Sequence, residues 1–494
     1  MEKVNIVKMG INGEGIGYLN KKPIFVSDAL PKEYVDVYVT EENPTYAKGS
    51  ASHIIEASKD RISPQCKHQK ECGGCALGIL NYKSQCYYKK TLLTEALYKY
   101  AHIRKELVRE VHTNRVTKGY RNQCKMPVQE SHHRLTCGLY EAGTNHFKPM
   151  DKCLVQDKQL EEVRSSILKV LNKAHFPAYD ARKMKGLRYL VIRTIDNQSQ
   201  CTLITGKDTL SEKLIEDIYA IDSVQSVFQS INTQRKGVDI FGSKVRLLKG
   251  EETLQTTWDD FSISLSPRSF LQLNTEMAKE LYSMVISKVD PCETLVEAYC
   301  GIGLMSLLAS KKAQHVIGIE SIPEAIENAK VIAEENHIEN VEYLLDDAAE
   351  GLQKVLQKTN VNTLLVDPPR SGMGDAMLET ILSSSIEKII YVFNYGLEIA
   401  LTRALTAIPG HMSFAVFMGY FYSIAKKQSV QGRNKTFYLL VSYLLAVALH
   451  TAYDAILMVE SESTSLIYIA FIIVLYFVVY KKVQKASRRD TYIG

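Results

Sequence analysis

TLVEAYCGIGLMSLLA, Thr294 to Ala309, is the stretch on which the reading of the fold turns. Thr294–Tyr299 is a short, largely apolar run of strand length. Gly301 and Gly303 break it with a turn, and an apolar helix opens directly behind them. Glycines at such a turn let a ligand approach the backbone beside a helix N-terminus. Downstream the same alternation repeats. Strand His315–Ile319 is followed by helix Pro323–Glu335, and strand Val341–Leu345 by helix Ala349–Gln357. Strand Thr363–Val366, a helix near Asp375–Leu382 and strand Lys388–Val392 complete the series. Strand and helix in strict alternation predict an α/β doubly wound parallel sheet.

Carboxylates stand at the strand ends, where open sheets bind ligands. Glu320 closes the second strand, seventeen residues after Gly303, and suits hydrogen bonds to ribose hydroxyls. Asp346 and Asp347 close the third, where one could reach an adenine amine, and DPPR, Asp367 to Arg370, closes the fourth. Tight turns and helix caps are the plain alternative for each alone. Together they predict a nucleoside-containing cofactor, with NAD and S-adenosylmethionine both open.

The flanking regions differ in kind. Residues 3–58 hold short alternating runs at Val4–Met9, Pro23–Val26, Tyr34–Thr40 and Ser52–Ala57, which predict a small OB-like barrel. Gly13, Gly15 and Gly17 of GINGEGIG read as hairpin turns, because no helix follows them. A helix is expected over Tyr82–Tyr100, and strands at Tyr189–Ile195, Gln200–Ile204 and Val224–Ser230. Net charge is +5, which permits an anionic partner without requiring one. MEKVNIVKMG has no apolar core of a secretory signal, so residues 1–392 are expected in the reducing cytoplasm. There the ten cysteines are free thiols or metal ligands. Cys66, Cys72 and Cys75 are closely spaced, and Cys153 lies far downstream. That pattern fits an iron–sulfur cluster or four-thiolate zinc.

FLQLN (Phe270–Asn274), EAYCGIG (Glu297–Gly303), GIE (Gly318–Glu320) and DPPRSG (Asp367–Gly372), in this order, resemble the RNA uracil-5-methyltransferase family, in its 23S rRNA type. CGGCALGILNYKSQCYYK (Cys72–Lys89) and GYRNQCKMPV (Gly119–Val128) are similar to further family segments, and the barrel resembles the family's TRAM domain. The resemblance divides the chain into a TRAM-like barrel (1–58), an iron–sulfur and RNA-recognition region (59–255) and a methyltransferase domain (256–392). It implies S-adenosylmethionine held by Gln272, Tyr299, Glu320, Asp347 and Asp367. It also implies a [4Fe–4S] cluster on Cys66, Cys72, Cys75 and Cys153, ahead of zinc. RNA is the implied partner, rRNA ahead of tRNA, and no protein partner is implied. Lys83, Lys89, Lys90, Arg121 and Lys125 could meet its phosphates, although a solvated surface accounts equally well for each alone.

The chemistry the family performs needs one residue more. Uracil C5 is a poor nucleophile toward a sulfonium methyl group. A thiolate must add to C6, and a base must later remove the C5 proton. In the family, the strand matching IIYV runs into the nucleophilic cysteine. Here it runs into Phe393, Asn394, Tyr395 and Gly396, with Asn394 at the nucleophile's place and no cysteine after Cys300. No glutamate segment like the family's C-terminal base follows, so the methyltransferase domain reads as truncated and catalytically doubtful.

From residue 393 onward the composition changes. Leu405–Ala425 and Phe437–Leu457 have the ~20-residue length that crosses a bilayer, and Leu466–Tyr480 is a shorter candidate flanked by Lys481 and Lys482. His450 and Asp454 share a helix face, and His411 lies in AIPGH. Residues 393–460 resemble the C-terminal part of PrsW-type membrane proteases, with those ionisable groups as remnants of a site. A membrane-embedded tail over 393–494 is therefore expected. The basic loop Lys426–Thr436 and the basic end place residue 393 outside by the positive-inside rule. That conflicts with a cytoplasmic RNA enzyme, so the chain reads as two incomplete enzymes joined. A membrane-tethered RNA binder without catalysis and a protease fragment are the alternative functions.

Overall fold

The computed structural model describes residues 2–141, 144–234, 239–369 and 372–392, together with Thr436 and Leu440. Six short strands come first: β1 (Glu2–Asn5), β2 (Lys8–Met9), β3 (Gly15–Leu19), β4 (Lys22–Ser27), β5 (Tyr34–Glu42) and β6 (Ala47–Glu56). They form one sheet in the order β1-β5-β6-β4-β3-β2. Alternation along them buries Val4, Ile24, Val26, Val35 and Val37 in a small core. Gly15 and Gly17 are strand residues of β3, not turn residues, and only Gly13, at φ +91°, makes the turn. A Cβ on Gly17 would stand 2.3 Å from Val4 Cγ1, and one on Gly15 2.7 Å from Ile6 Cγ2. These glycines let β3 pack against the chain around β1. The sheet's exit is locked by the fully buried Glu33. Its carboxylate accepts from the Leu30 and Ser58 amides and from Arg61 Nε and Nη2.

Helices α1 (Gln69–Cys72) and α2 (Tyr82–Ala101) lead to a second sheet. Its strands are β7 (Gln123–Ser131), β8 (Arg134–Tyr140), β9 (Phe147–Pro149), β10 (Leu187–Ile195), β11 (Gln198–Thr205), β12 (Val224–Ile231) and β13 (Val245–Gly250). Their order is β13-β12-β11-β10-β7-β8-β9. Helices α3 (Lys158–Lys173) and α4 (Glu212–Tyr219) start at the side-chain caps Asp157 and Ser211. Leu160, Val163, Ile167 and Leu171 of α3 share a core with Met126, Leu190 and Ile192 of the sheet.

A hairpin, β14 (Leu254–Trp258) and β15 (Phe261–Leu265), and helix α5 (Thr275–Ser287) precede the third sheet. There β16 (Cys292–Ala298), α6 (Leu304–Ala309), β17 (Ala313–Glu320), α7 (Pro323–Glu335) and β18 (Val341–Leu345) follow in turn. After them come α8 (Ala348–Leu356), β19 (Thr363–Val366), α9 (Asp375–Leu382) and β20 (Lys388–Tyr391). The strands pair in parallel in the order β18-β17-β16-β19-β20, the expected α/β arrangement. Chain order reverses on either side of β16, so the crevice at its C-terminal end is where such sheets hold ligands. Residues 96–105 and 368–383 belong to a second compact unit, in which Thr380 Oγ1 donates to the Ala376 carbonyl at 2.8 Å.

No helix among the described residues is long and apolar enough to cross a membrane. The expected spans Leu405–Ala425, Phe437–Leu457 and Leu466–Tyr480 lie outside the described residues (Leu440 apart), as do Asn394, His411, His450 and Asp454.

The second and third sheets are joined by polar side chains gripping one loop. Arg193, at the end of β10, is 2 % exposed. It donates from Nη1 to the Ser266 carbonyl at 2.9 Å and from Nη2 to the Ser269 carbonyl. Asn122 donates from Nδ2 to the Gln272 carbonyl at 2.9 Å and to Thr275 Oγ1 at 2.7 Å, while its amide meets the Leu273 carbonyl. Ile195 then packs in the same core as Trp258 and Leu295. Arg193→Met would leave two buried carbonyls without donors, at about 1–3 kcal/mol each. The expected result is a lower urea midpoint, read from the fluorescence of Trp258, the chain's single tryptophan. Arg193→Lys recovers only part of the loss, because an ammonium lacks the guanidinium fork.

Candidate functional site

The C-terminal edge of the third sheet carries a continuous set of polar groups. Tyr299 directly follows β16 at φ +64°, a conformation that turns the chain sharply into the glycine loop. Gly303, at φ +74°, has no room for a side chain, since a Cβ would stand 2.3 Å from the Tyr343 hydroxyl. Gly301, at φ +56°, has the opposite surroundings: a Cβ there would meet nothing within 4 Å, so the space beside it is open. The Gly301 amide donates to Glu320 Oε2 at 3.1 Å. Glu320 Oε1 accepts from the Ser321 and Ile322 amides at 2.7 and 3.0 Å. The carboxylate is thus aimed by the loop on one side and by the start of α7 on the other.

The five expected cofactor residues lie near one another in this region, related by through-space charge more than by direct contact. Gln272 reaches the Tyr282 hydroxyl, and Tyr282 feels the charges of Asp367 and Glu297. Tyr299 feels Asp347, and burial with that charge pushes its hydroxyl up to about 12. Asp347 has a second task, since its carboxylate caps α8 by accepting from the Ala349 and Glu350 amides. Its neighbour Asp346 is bonded to Lys354.

Glu297 is the residue that the strand-end pattern does not pick out. It is 1 % exposed, in the buried stretch Thr294–Ala298 of β16, and accepts a hydrogen bond from Ser306 Oγ. Burial pushes its carboxyl up to about 8, with the charges of Asp367 and Glu320 adding to the shift. The edge therefore carries one carboxyl that burial keeps protonated at neutral pH, Glu297, close to Glu320 and Asp367. The signal in the sequence is an acid with apolar neighbours on both sides, Leu295–Val296 and Ala298.

The four expected cysteines also gather. Cys66 is drawn toward Cys153 by its neighbours: Lys67 and His68 bond the two oxygens of Asp151 at 2.7 and 2.9 Å. Those bonds hold the Asp151 carboxyl well below the usual range. Arg164 fixes the same segment from α3 through the Asp151 carbonyl and its buried partner Glu161. Cys75 feels Cys153, Cys72 and Cys66, and burial is the larger cause raising its thiol. Burial raises Cys153 as well. Yet among the described residues no three His, Cys, Asp or Glu side chains form a group that could hold a metal ion. The structure thus shows the four thiols gathered in one region, without the close grouping of a single-ion site. For Cys75 and Cys153 burial and the neighbouring thiols favour the protonated form, and neutral thiols do not draw one another to ligand spacing.

Comparison with known proteins agrees with this geometry. The family model described as tRNA (Uracil-5-)-methyltransferase matches residues 81–396, and that of the TRAM domain matches residues 2–51. An Enterococcus faecalis protein described as an uncharacterized RNA methyltransferase is 34 % identical over 400 residues, covering 79 % of this chain and 88 % of its own. The chain belongs to the tRNA (uracil-5-)-methyltransferase family. A second family relative, an uncharacterized RNA methyltransferase of Halalkalibacterium halodurans, is 34 % identical over 403 residues, covering 79 % of this chain and 87 % of its own. The crystal structure of Pyrococcus abyssi tRNA (uracil-54, C5)-methyltransferase in complex with S-adenosyl-L-homocysteine shares the fold. Its TM-score is 0.63 at 23 % identity, over 81 % of this chain and 92 % of that one. The model of the PrsW family intramembrane metalloprotease matches residues 370–480, beginning before the family match ends.

The buried acid of this family member gives a pH test. Glu297 keeps its proton in the folded chain up to about 8, whereas the ordinary carboxyl value is 4.5. The unfolded chain therefore loses its proton first, and stability falls as pH rises between those two values. Glu297→Gln keeps the Ser306 contact without the titration. Urea midpoints of the parent should drop from about pH 5 to about pH 8, and those of Glu297→Gln should drop markedly less. Equal slopes for both proteins would reject a protonated Glu297.

Proposed function

We propose that this chain is an S-adenosylmethionine-binding, RNA-binding member of its family that does not transfer the methyl group. The observation that carries the reading is the open space beside Gly301, edged by Glu320. A nucleoside cofactor laid there would place its ribose hydroxyls on Glu320, whose Oε2 carries one hydrogen bond and has lone-pair capacity to spare. Asp367 and Glu320 supply negative charge toward a sulfonium cofactor, and Gln272 and Tyr299 flank it. Asp347 contributes through its cap of α8. The family membership and the S-adenosyl-L-homocysteine bound to the P. abyssi enzyme support the choice of cofactor over NAD.

RNA is the proposed partner, supported by the TRAM match and by the family. The gathered thiols of Cys66, Cys72, Cys75 and Cys153 suit a [4Fe–4S] cluster better than zinc. A zinc ion needs sulfur at ~2.3 Å from one centre, and the thiols are not grouped tightly enough for that. A cluster bound there would supply an electron-transfer centre and a covalent staple between the segments around Cys66 and Cys153.

Catalysis lacks both the nucleophile and the C-terminal base, and the nucleophile matters first. Asn394 occupies the place after the last strand where the family's thiolate stands. An amide nitrogen, its lone pair delocalised, cannot add to uracil C6. Losing a covalent nucleophile costs on the order of 10^4–10^6 in rate. The PrsW match favours a membrane-tethered RNA binder as the second reading, with residues 393–494 as the tether. Calorimetry with S-adenosyl-L-homocysteine tests the cofactor site. The full chain should bind, and Glu320→Ala should weaken binding on the order of ten- to a hundredfold, as expected for a hydrogen bond to a charged group. No heat of binding, or equal affinity in Glu320→Ala, would contradict the assignment.

A further inference from the structure

Of the basic residues near the cysteine region, one stands in surroundings unlike the others. Lys90 is paired with Glu110. Lys125 is exposed on β7, directly across from Val191 of β10, and no carboxylate lies within ion-pair distance of it among the described residues. Its ammonium lies over the Phe241 ring at 5.7 Å from the centroid, and Arg268 lies over the same ring at 5.1 Å. Arg268 donates to the Gly242 carbonyl and pairs with Asp239 at 3.3 Å. The buried Arg193 adds a third cation, bonded to carbonyls alone and with its Nε unpartnered. Partial desolvation, with Arg193 and Arg268 nearby, holds the Lys125 ammonium below its usual pKa. Three cations therefore share one carboxylate, and the most accessible of them has no partner. Arg188, two strand positions from Leu190, shows the contrast: it also lies on aromatic rings, but its Nη1 is bonded to Asn232 and the Gln234 carbonyl.

The loop that Arg193 grips runs on into Phe270, which is 64 % exposed, and Gln272. A nucleotide brought to the cofactor edge must pass its backbone near this loop. We propose that Lys125, its ammonium held over the Phe241 ring beside Arg268, is a phosphate-binding site for single-stranded RNA on the central sheet. The inference rests on the RNA-binding reading above and assigns the contact to a particular side chain. The net charge excess favours a phosphate over a neutral ligand, and the field of the uncompensated Arg193 acts in the same direction.

The test is fluorescence anisotropy of a fluorescein-labelled RNA stem-loop carrying one loop uridine, titrated with the full chain in detergent across a series of salt concentrations. Lys125→Ala should weaken binding about tenfold at low salt and reduce the slope of log affinity against log salt by about one. Lys125→Arg should keep both values close to the parent's. Lys213→Ala, an exposed lysine of α4 paired with Asp217, should change neither. Parental affinity and slope in Lys125→Ala would overturn this site alone. A parent chain that binds no RNA would overturn the functional reading and the site together.

Discussion

A buried guanidinium bonded only to carbonyl oxygens sets the geometry of this molecule. Among the described residues Arg193 has no carboxylate partner, and desolvation lowers its pKa to about 10, so it stays charged at neutral pH. An ion in that position is costly unless its hydrogen bonds are satisfied. The carbonyls of Ser266 and Ser269 satisfy two of them, which ties the loop to the end of β10. Asn122, whose carbonyl receives the Thr194 amide, adds the contacts to Gln272, Leu273 and Thr275. The loop that carries Gln272 thus moves with the central sheet. Displacing the sheet would displace one wall of the cofactor edge.

The same joint gives the two halves of the site their different characters. On the third sheet, carboxylates crowd together and one of them, Glu297, gives up its charge to burial. On the second, cations gather around Phe241 with a single carboxylate, Asp239. A cationic cofactor and an anionic polymer call for opposite fields, and the loop from Ser266 to Thr275 is where the two fields meet. The cysteines sit on the same ladder. Cys153 leads into Val155 and Asp157, whose backbone pairs with Arg121, next to Asn122.

Much of the third sheet was legible because its signals are local. Pro323–Glu335, Val341–Leu345, Thr363–Val366 and Asp375–Leu382 fall on the expected residues, since apolar strands alternate there with amphipathic helices. In the first sheet β3 was hidden, because Gly15 and Gly17 read as turns when no partner chain is in view. Glu320, Asp347 and Asp367 could be picked out from their positions at strand ends, and Gln272 and Tyr299 from the family resemblance. Arg193, Asn122 and Glu297 could not, because their roles come from contacts with segments distant in sequence. Metal geometry was equally illegible: spacing shows which thiols can meet, and only side-chain placement shows how closely they do.

The cofactor edge is intact through Asp367, and β20 reaches Tyr391 in register with Val366. Chemistry beyond binding depends on the residues after Val392, and there the sequence offers an asparagine. The decisive measurement incubates the full chain with methyl-labelled S-adenosylmethionine and unmodified ribosomal RNA, then separates the digested nucleosides by mass spectrometry. The account predicts that the labelled cofactor is retained by the chain and that no labelled 5-methyluridine forms above the protein-free control. Labelled 5-methyluridine in amounts exceeding the chain added would contradict it.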